Sequence, residues 1–214
     1  MARIRICFIG DSLVLGTGDG AQLGWPGRLA RREVQAGHDV TTYNLGIRAD
    51  TSEMVLARWR AEAGARLPAI HPGALVFSFG INDTAVENGR ATRVAFDQSL
   101  ENARAMITDA KSWLPTLWIG PTPVDETQQP FQAGPAAPEH DFRNARVVQM
   151  SDAFAEIADD LGVPYLDLFT PLSGDAGWAD CFKSGDGVHP TDNGYAMEAE
   201  RIAGWSAWRG WFDD

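Results

Sequence analysis

Cys7–Gly20, with the sequence CFIGDSLVLGTGDG, joins a hydrophobic run to a glycine-rich loop. The run ends at Gly10, and Asp11 and Ser12 follow immediately. A loop placed after a first strand has two common uses in α/β proteins. It holds the phosphate of a cofactor, or it exposes a serine at the edge of the sheet where ligands bind. The choice between these two uses decides the class of function.

The phosphate-binding interpretation fits this stretch poorly. A dinucleotide fingerprint, G-x-G-x-x-G, opens a helix directly after the first strand. The nearest match, residues 16–21, comes several residues late and has its last glycine misplaced. The chain also contains no G-x-x-x-x-G-K-[ST] pattern, and Asp11 and Asp19 would repel a phosphate. The loop is therefore predicted to expose Ser12.

Short apolar runs alternate with longer helical patterns along the rest of the chain. Several runs, such as ALVFSF, are continuously apolar, as expected for parallel strands covered on both faces. The predicted strands are Arg3–Ile9, Val40–Asn44, Ala74–Phe79, Thr116–Gly120 and Pro164–Leu168, and the predicted helices are Pro26–Ala36, Ser52–Ala65, Thr92–Trp113, Asn144–Leu161 and Asp192–Trp208. The alternation predicts an α/β fold with three layers, α/β/α, around a doubly wound, flavodoxin-like parallel sheet of five strands. Residues 1–214 are expected to form one domain.

Composition limits the partners that the protein can bind. The net charge is −11 and the pI about 4.7, so a broad basic surface for nucleic acid is not expected. No apolar run reaches the roughly 18 residues of a membrane-spanning helix, and no integral membrane association is expected. The first ten residues enter a strand without the regions of a signal peptide. With two cysteines only, Cys7 and Cys181, these features predict a cytoplasmic protein.

Two segments have more than one interpretation. Pro121–Asp141, rich in proline and polar residues, is either a plain surface excursion or a wall or lid of a ligand site. Trp205, Trp208 and Trp211 recur at three-residue intervals near the C-terminus. They are interpreted most simply as a helical stripe that closes the core. A contact in a homo-oligomer or an apolar docking surface is the alternative.

A serine nucleophile needs a base, and the base needs an acid that orients it. His38, His71 and His140 are interpreted as structural or solvated residues. His189 differs, because Asp186 precedes it by three residues in the glycine-rich turn SGDGVHP. This spacing lets a carboxylate reach Nδ1 of the imidazole and leaves Nε2 for a serine. The alternative is a helix-capping aspartate beside a surface histidine.

Four motifs together resemble the GDSL esterase/lipase family, also called SGNH hydrolases. They are FIGDSL, YNLGIRADTS, FSFGINDT and GDGVHP, and they span Phe8 to Pro190. The resemblance implies that Ser12 is the nucleophile, His189 the general base and Asp186 the residue that orients it. It also implies an oxyanion hole made of the backbone N–H groups of Ser12 and Gly46 and the side-chain amide of Asn82. On their own, Gly46 is equally a strand-end turn residue and Asn82 part of an Asx turn.

Three further residues beside these motifs are candidates for substrate binding. They are Asp11, Arg48 and Asp83. Arg48 is placed to attract a carboxylate or a carbonyl at the pocket edge, and a solvated surface arginine is the alternative.

The predicted function is a serine hydrolase that cleaves a carboxylic ester or thioester of a small molecule through an acyl-enzyme. No cofactor and no metal are expected, since the sequence has no H-E-x-x-H motif and its histidines are scattered. Carbohydrate O-deacetylase, lysophospholipase and acyltransferase are alternatives with the same chemistry. A catalytically silent binding module is the alternative from another class.

Overall fold

Strands and helices alternate along the chain in the computed structural model, which describes residues 1–183 and 185–212. The strands are β1 (Arg3–Gly10), β2 (Asp39–Gly46), β3 (Gly73–Ser78), β4 (Val86–Glu87), β5 (Ala91–Thr92), β6 (Thr116–Ile119), β7 (Phe131–Gln132), β8 (Glu139–Asp141) and β9 (Tyr165–Leu166). The helices are α1 (Ser12–Leu15), α2 (Gly24–Gln35), α3 (Ser52–Gly64), α4 (Phe96–Trp113), α5 (Asn144–Leu161), α6 (Phe169–Leu172), α7 (Ala176–Asp180), α8 (Asp192–Ala203) and α9 (Ser206–Arg209).

Five parallel strands form the central sheet, in the order β2-β1-β3-β6-β9. Successive side chains of a strand point to opposite faces, and both faces of this sheet are covered. Cys7 and Ile9 of β1 pack with α3, α4 and α5, while Ile6 and Phe8 pack with α2, α8 and α9. This arrangement explains the continuously apolar strands and confirms the predicted three-layer, doubly wound fold.

The predicted Pro121–Asp141 excursion is only partly irregular. It contains β7 and β8, which pair with each other, and β8 pairs in turn with β4. With β5, these strands form a second, antiparallel sheet in the order β5-β4-β8-β7. The sequence analysis missed this sheet because each of its strands has only two or three residues. The predicted helix Thr92–Trp113 begins later, at Phe96, because Thr92 belongs to β5.

The predicted helix Asp192–Trp208 is two helices. α8 ends at Ala203, and Trp205 has an extended backbone (φ −74°, ψ 128°) before α9 begins. Trp208 is fully buried, and Trp205 and Trp211 pack partly buried against the same core. The tryptophans therefore close the core, as predicted, although the helix that carries them is interrupted.

Candidate active site

Ser12 lies at the carboxyl end of the central strand β1. Gly10 is the last residue of the strand, and a Cβ there would lie 1.8 Å from the Ser78 carbonyl oxygen of β3, so glycine is required for the strands to pair. Asp11 caps the short helix α1, because its Oδ1 accepts the N–H of Leu13 at 2.9 Å. Ser12 is then the first residue of the helix, and its N–H has no acceptor within the helix. The hydroxyl thus stands at the ligand-binding edge of the sheet.

His189 and Asp186 meet Ser12 in a continuous chain of hydrogen bonds. Nε2 of His189 lies 2.7 Å from Ser12 Oγ, and Nδ1 lies 2.6 Å from Asp186 Oδ2. The other carboxylate oxygen, Oδ1, accepts the backbone N–H groups of Val188 and His189, each at 2.9 Å. One oxygen of Asp186 therefore shapes the turn and the other holds the imidazole. The Ser12–His189 distance is within the range needed for proton transfer, and the His189–Asp186 distance is that of a hydrogen bond.

The environment of Asp186 keeps it ionised. Burial opposes the charge, but the hydrogen bond and charge of His189 and the two backbone N–H groups lower the pKa of Asp186 from 3.8 to about 2. An ionised Asp186 accepts a hydrogen bond from Nδ1–H of His189, which leaves Nε2 unprotonated and facing Ser12.

Asp11, a predicted candidate for substrate binding, is buried. Its side chain is 1% exposed, and one of its oxygens accepts the Leu13 N–H. Burial raises the pKa of Asp11 from 3.8 to about 7, despite the Leu13 N–H and the charge of His189. Burial also raises the pKa of Glu198 in α8, and the charge of Asp11 adds to that rise. Asp11 therefore caps the helix that begins at Ser12, and it is not among the described residues that line the cavity.

Asp83, the other acidic candidate for substrate binding, is also buried. It is fully covered, and its Oδ1 accepts the N–H of Ser52 at 2.8 Å. The carboxylate thus fixes the start of α3.

Asn82, which precedes Asp83, lies at the cavity, and its Nδ2 donates to the Asp50 carbonyl oxygen at 3.0 Å. Because an amide nitrogen carries two hydrogens, Asn82 retains a second donor.

The N–H of Gly46, which the family resemblance places in the oxyanion hole, already has an acceptor in the structure. This N–H donates to Asn44 Oδ1 at 2.9 Å, and Gly46 is absent from the described residues that line the cavity. A Cβ on Gly46 would lie 2.3 Å from the Leu15 nitrogen. The glycine is therefore required for the close approach of α1 to β2, and its N–H is already used.

Ala49, three residues after Gly46, lies at the cavity. It lines the cavity together with Ser12, Asn82 and His189. Its φ is +64°, a left-handed conformation that is uncommon for alanine. Its N–H has no hydrogen-bond partner within the described part of the chain. No sequence pattern marks Ala49, because glycine is the residue normally expected where such a conformation occurs.

Arg58 of α3 organises the edge of the sheet on which the site stands. Its guanidinium donates to the carbonyl oxygens of Gly10 (2.8 Å) and Leu45 (2.9 Å), and to Asp50 Oδ2 (2.7 Å). One side chain thus ties the ends of β1 and β2 to the segment before α3. The sequence analysis did not single out Arg58, since no motif marks it.

A cavity of about 90 Å³ opens beside Ser12. The second sheet builds much of its wall, and Arg48 also lies at the cavity. The lining residues are Ser12, Arg48, Ala49, Asn82, Phe131, Ala133, His140, Phe142, Val188 and His189. Burial, and next the charge of Arg93, lower the pKa of His140, so its imidazole is neutral at neutral pH. The Pro121–Asp141 segment is therefore a wall of the cavity, which was one of its two interpretations.

The arrangement defines a class of protein, the carboxylic ester hydrolases that are built on a doubly wound sheet. The sequence model of the GDSL-like Lipase/Acylhydrolase family matches residues 8–197, and the chain belongs to that family. No curated protein matches the chain in sequence. Within residues 1–183 and 185–212, no helix combines the length and hydropathy needed to cross a membrane.

Solved structures of esterases share the fold. A lipase/acylhydrolase from Enterococcus faecalis superposes with a TM-score of 0.75 at 23% identity, covering 93% of each chain. The acetylxylan esterase Axe2 from Geobacillus stearothermophilus has a TM-score of 0.70 at 19% identity, with 95% of each chain covered. The esterase EstA from Pseudoalteromonas sp., described in a form inhibited by monoethylphosphonate, has a TM-score of 0.69 at 17% identity, covering 98% of this chain and 99% of that one. At these identities the similarity concerns the fold.

Proposed function

We propose that the protein hydrolyses esters of short carboxylic acids by covalent catalysis at Ser12. The observation that carries this proposal is the chain of hydrogen bonds from Ser12 Oγ through His189 to Asp186, at 2.7 Å and 2.6 Å. A serine, a base and an orienting acid in that order are the components of nucleophilic acyl transfer.

The first half of the reaction forms the acyl-enzyme. Ser12 Oγ attacks the ester carbonyl carbon as its proton moves to His189 Nε2. The tetrahedral intermediate then collapses, the C–O bond to the alcohol breaks, and His189 returns the proton to the departing alkoxide. Asp186 remains ionised and stabilises the imidazolium that exists between these two steps. In the second half, water attacks the carbonyl carbon of the acyl-enzyme as its proton moves to His189 Nε2. The bond to Ser12 Oγ then breaks, His189 returns the proton to Ser12, and the carboxylic acid is released.

The oxyanion is stabilised by three N–H donors. We assign them to the backbone of Ser12, the backbone of Ala49 in place of Gly46, and the side chain of Asn82. Ala49 is supported by its place at the cavity and by its unused N–H, whereas the N–H of Gly46 is held by Asn44. The hydrogen bond to the Asp50 carbonyl holds Asn82 in place before the substrate arrives. Donors fixed in advance stabilise developing charge without reorganisation.

The size of the cavity favours short acyl groups. A space of about 90 Å³ is small beside the roughly 300–1,000 Å³ of pockets for drug-sized ligands. Phe131 and Phe142, whose rings are 6.3 Å apart, form part of its apolar wall. Acetate to butyrate esters are therefore the expected substrates, ahead of long-chain esters.

The test combines a covalent probe with turnover. A fluorophosphonate labels an activated serine, and the phosphonate inhibition of EstA makes this class of probe suitable. Wild-type protein should be labelled and should hydrolyse p-nitrophenyl acetate, and Ser12→Ala should do neither while remaining folded. Ser112→Ala, which changes an exposed serine of α4, is the matched control and should behave as wild type. Labelling or full turnover by Ser12→Ala would remove Ser12 from its proposed role.

A further inference from the structure

Arg48 is an exposed cation at the mouth of the active-site cavity. It follows β2 and precedes Ala49, and it lines the cavity together with Ser12 and Asn82. A group bound at its guanidinium would therefore lie beside the ester that Ser12 attacks. The question is what this cation binds.

The guanidinium of Arg48 has no hydrogen bond or ion pair in residues 1–183 and 185–212. By contrast, several other arginines of the fold have partners. Arg58 donates to Asp50 and to two strand-end carbonyls, and Arg28 is paired with buried Asp19. Arg48 thus retains all five of its donors for a ligand or for water.

The charge of Arg48 is also not offset within the cavity. No carboxylate is found among the described residues that line it. The nearby acids are used elsewhere, because Asp186 holds His189 and Asp50 holds Arg58. His140 is neutral at neutral pH, since burial lowers its pKa. In a protein of net charge −11, the cavity mouth therefore carries one fixed positive charge.

The remaining lining is largely apolar, with Phe131, Phe142 and Val188 as its main hydrophobic side chains. We infer that the preferred substrate is an ester that carries an anionic group, a carboxylate or a phosphate, which binds to Arg48 while the apolar wall holds the rest. A guanidinium binds either anion with two parallel hydrogen bonds. This inference rests on the proposed function and specifies the substrate class of the same site.

The experiment compares three acetate esters of phenols that differ in charge. They are 4-acetoxybenzoate, 4-acetoxyphenyl phosphate and the neutral 4-acetoxybenzamide. The substitution Arg48→Gln should lower kcat/KM for at least one of the two anionic esters, mainly by raising KM, because it removes a contact that binds the substrate. The expected loss is roughly five- to tenfold, since the ion pair is partly exposed. The substitution should change kcat/KM for the amide less than twofold. The ratio of kcat/KM of the variant to that of the wild type, taken for each ester, removes the differences in intrinsic reactivity between the three esters.

Two variants test whether the effect is specific. Arg48→Lys keeps the charge but not the fork of donors, so it should recover part of the preference. Arg31→Gln removes an exposed arginine of α2 that does not line the cavity, and it should leave all three rates unchanged. If the benzoate alone loses rate in Arg48→Gln, the anion is a carboxylate, and if the phosphate ester alone does, it is a phosphate.

An equal loss for the amide and the anions, expressed in kcat, would overturn the inference and assign Arg48 to the oxyanion. Unchanged rates for all three esters would overturn it as well. In both cases the acetate ester of 4-acetoxybenzamide is still hydrolysed at Ser12. If the proposed function itself fails, wild-type protein does not hydrolyse the acetate ester of 4-acetoxybenzamide at Ser12. The two failures are therefore distinguishable.

Discussion

The substitution Asp186→Asn tests the hydrogen-bond chain at the atom that orients it. The Asp186 oxygens have separate partners: Oδ1 accepts two backbone N–H groups and Oδ2 accepts Nδ1–H of His189. Asparagine can keep the first pair through its carbonyl oxygen. Its amide nitrogen then faces Nδ1 of His189 and donates to it, which moves the imidazole proton to Nε2. In that tautomer His189 cannot accept the proton of Ser12, so kcat should fall about 10⁴-fold.

The same change has a smaller effect on stability. The pKa of Asp186 is lowered from 3.8 to about 2, so ionised Asp186 stabilises the fold by about 2 kcal/mol. This contribution is complete above the unfolded pKa of 3.8 and is lost as the pH falls through 2. Asp186→Asn should therefore lower the melting temperature at pH 7 by about 4–8 °C. A 10⁴-fold loss in kcat corresponds to more than 5 kcal/mol, so the catalytic effect is more than twice the effect on folding.

The assay measures kcat and KM with p-nitrophenyl acetate and the melting temperature by circular dichroism, both at pH 7. Asp125→Asn is the matched control, because Asp125 Oδ1 also accepts a backbone N–H, from Thr127, but Asp125 has no hydrogen bond to a histidine. Its activity should stay within about twofold of wild type. Activity of Asp186→Asn within tenfold of wild type would refute the assigned tautomer and the role of Asp186.

Four other outcomes are expected. Asn82→Ala should lower kcat about 10²–10³-fold with little change in KM, and a lower melting temperature with wild-type kcat would make Asn82 structural only. Ala49→Gly should keep its activity, because the proposed donor is a backbone N–H. It should raise the free energy of unfolding by about 0.5–1 kcal/mol, because glycine relieves the left-handed strain at φ +64°. A loss of stability in denaturant unfolding would contradict this. Burial raises the pKa of Asp11 from 3.8 to about 7, so the free energy of unfolding of the wild type should fall as the pH rises from 3.8 to 7. Asparagine has no such charge, so the stability of Asp11→Asn relative to wild type should be higher at pH 8 than at pH 4, by up to about 4 kcal/mol. Unfolding curves at both pH values check it, and an equal difference at the two pH values argues against it. Phe131→Ala should shift the preferred p-nitrophenyl ester from acetate or butyrate toward longer chains, and an unchanged chain-length profile would show that this wall does not limit the acyl group.

Local sequence patterns were sufficient for the large elements of the fold. Helix α5 occupies the predicted residues, and each predicted strand of the central sheet is present within a few residues of its predicted bounds. Such elements depend on hydrophobic periodicity over many residues, which is visible along the chain. The second sheet has strands of two or three residues, too short for any period, and its pairing of β4 with β8 joins segments about 50 residues apart.

The candidate site divides in the same way. Asp186 and His189 are three residues apart, so their pairing is a local property that the D-x-x-H spacing predicts. The backbone conformation after β2 is different, because it depends on neighbours from other elements. Asn44 takes the N–H of Gly46, and α1 fills the space beside that glycine. Ala49, not Gly46, consequently lies at the cavity.

By itself, the sequence determined the class of fold and the family, since these follow from periodicity and from short motifs. Only the tertiary structure decided the distance between Ser12 and His189, which are 177 residues apart in the chain and 2.7 Å apart in space. It also decided that Asp11 and Asp83 are buried, while Arg48 is exposed and has no side-chain partner among residues 1–183 and 185–212. Burial and pairing are properties of the packed neighbours, and those neighbours come from distant parts of the chain.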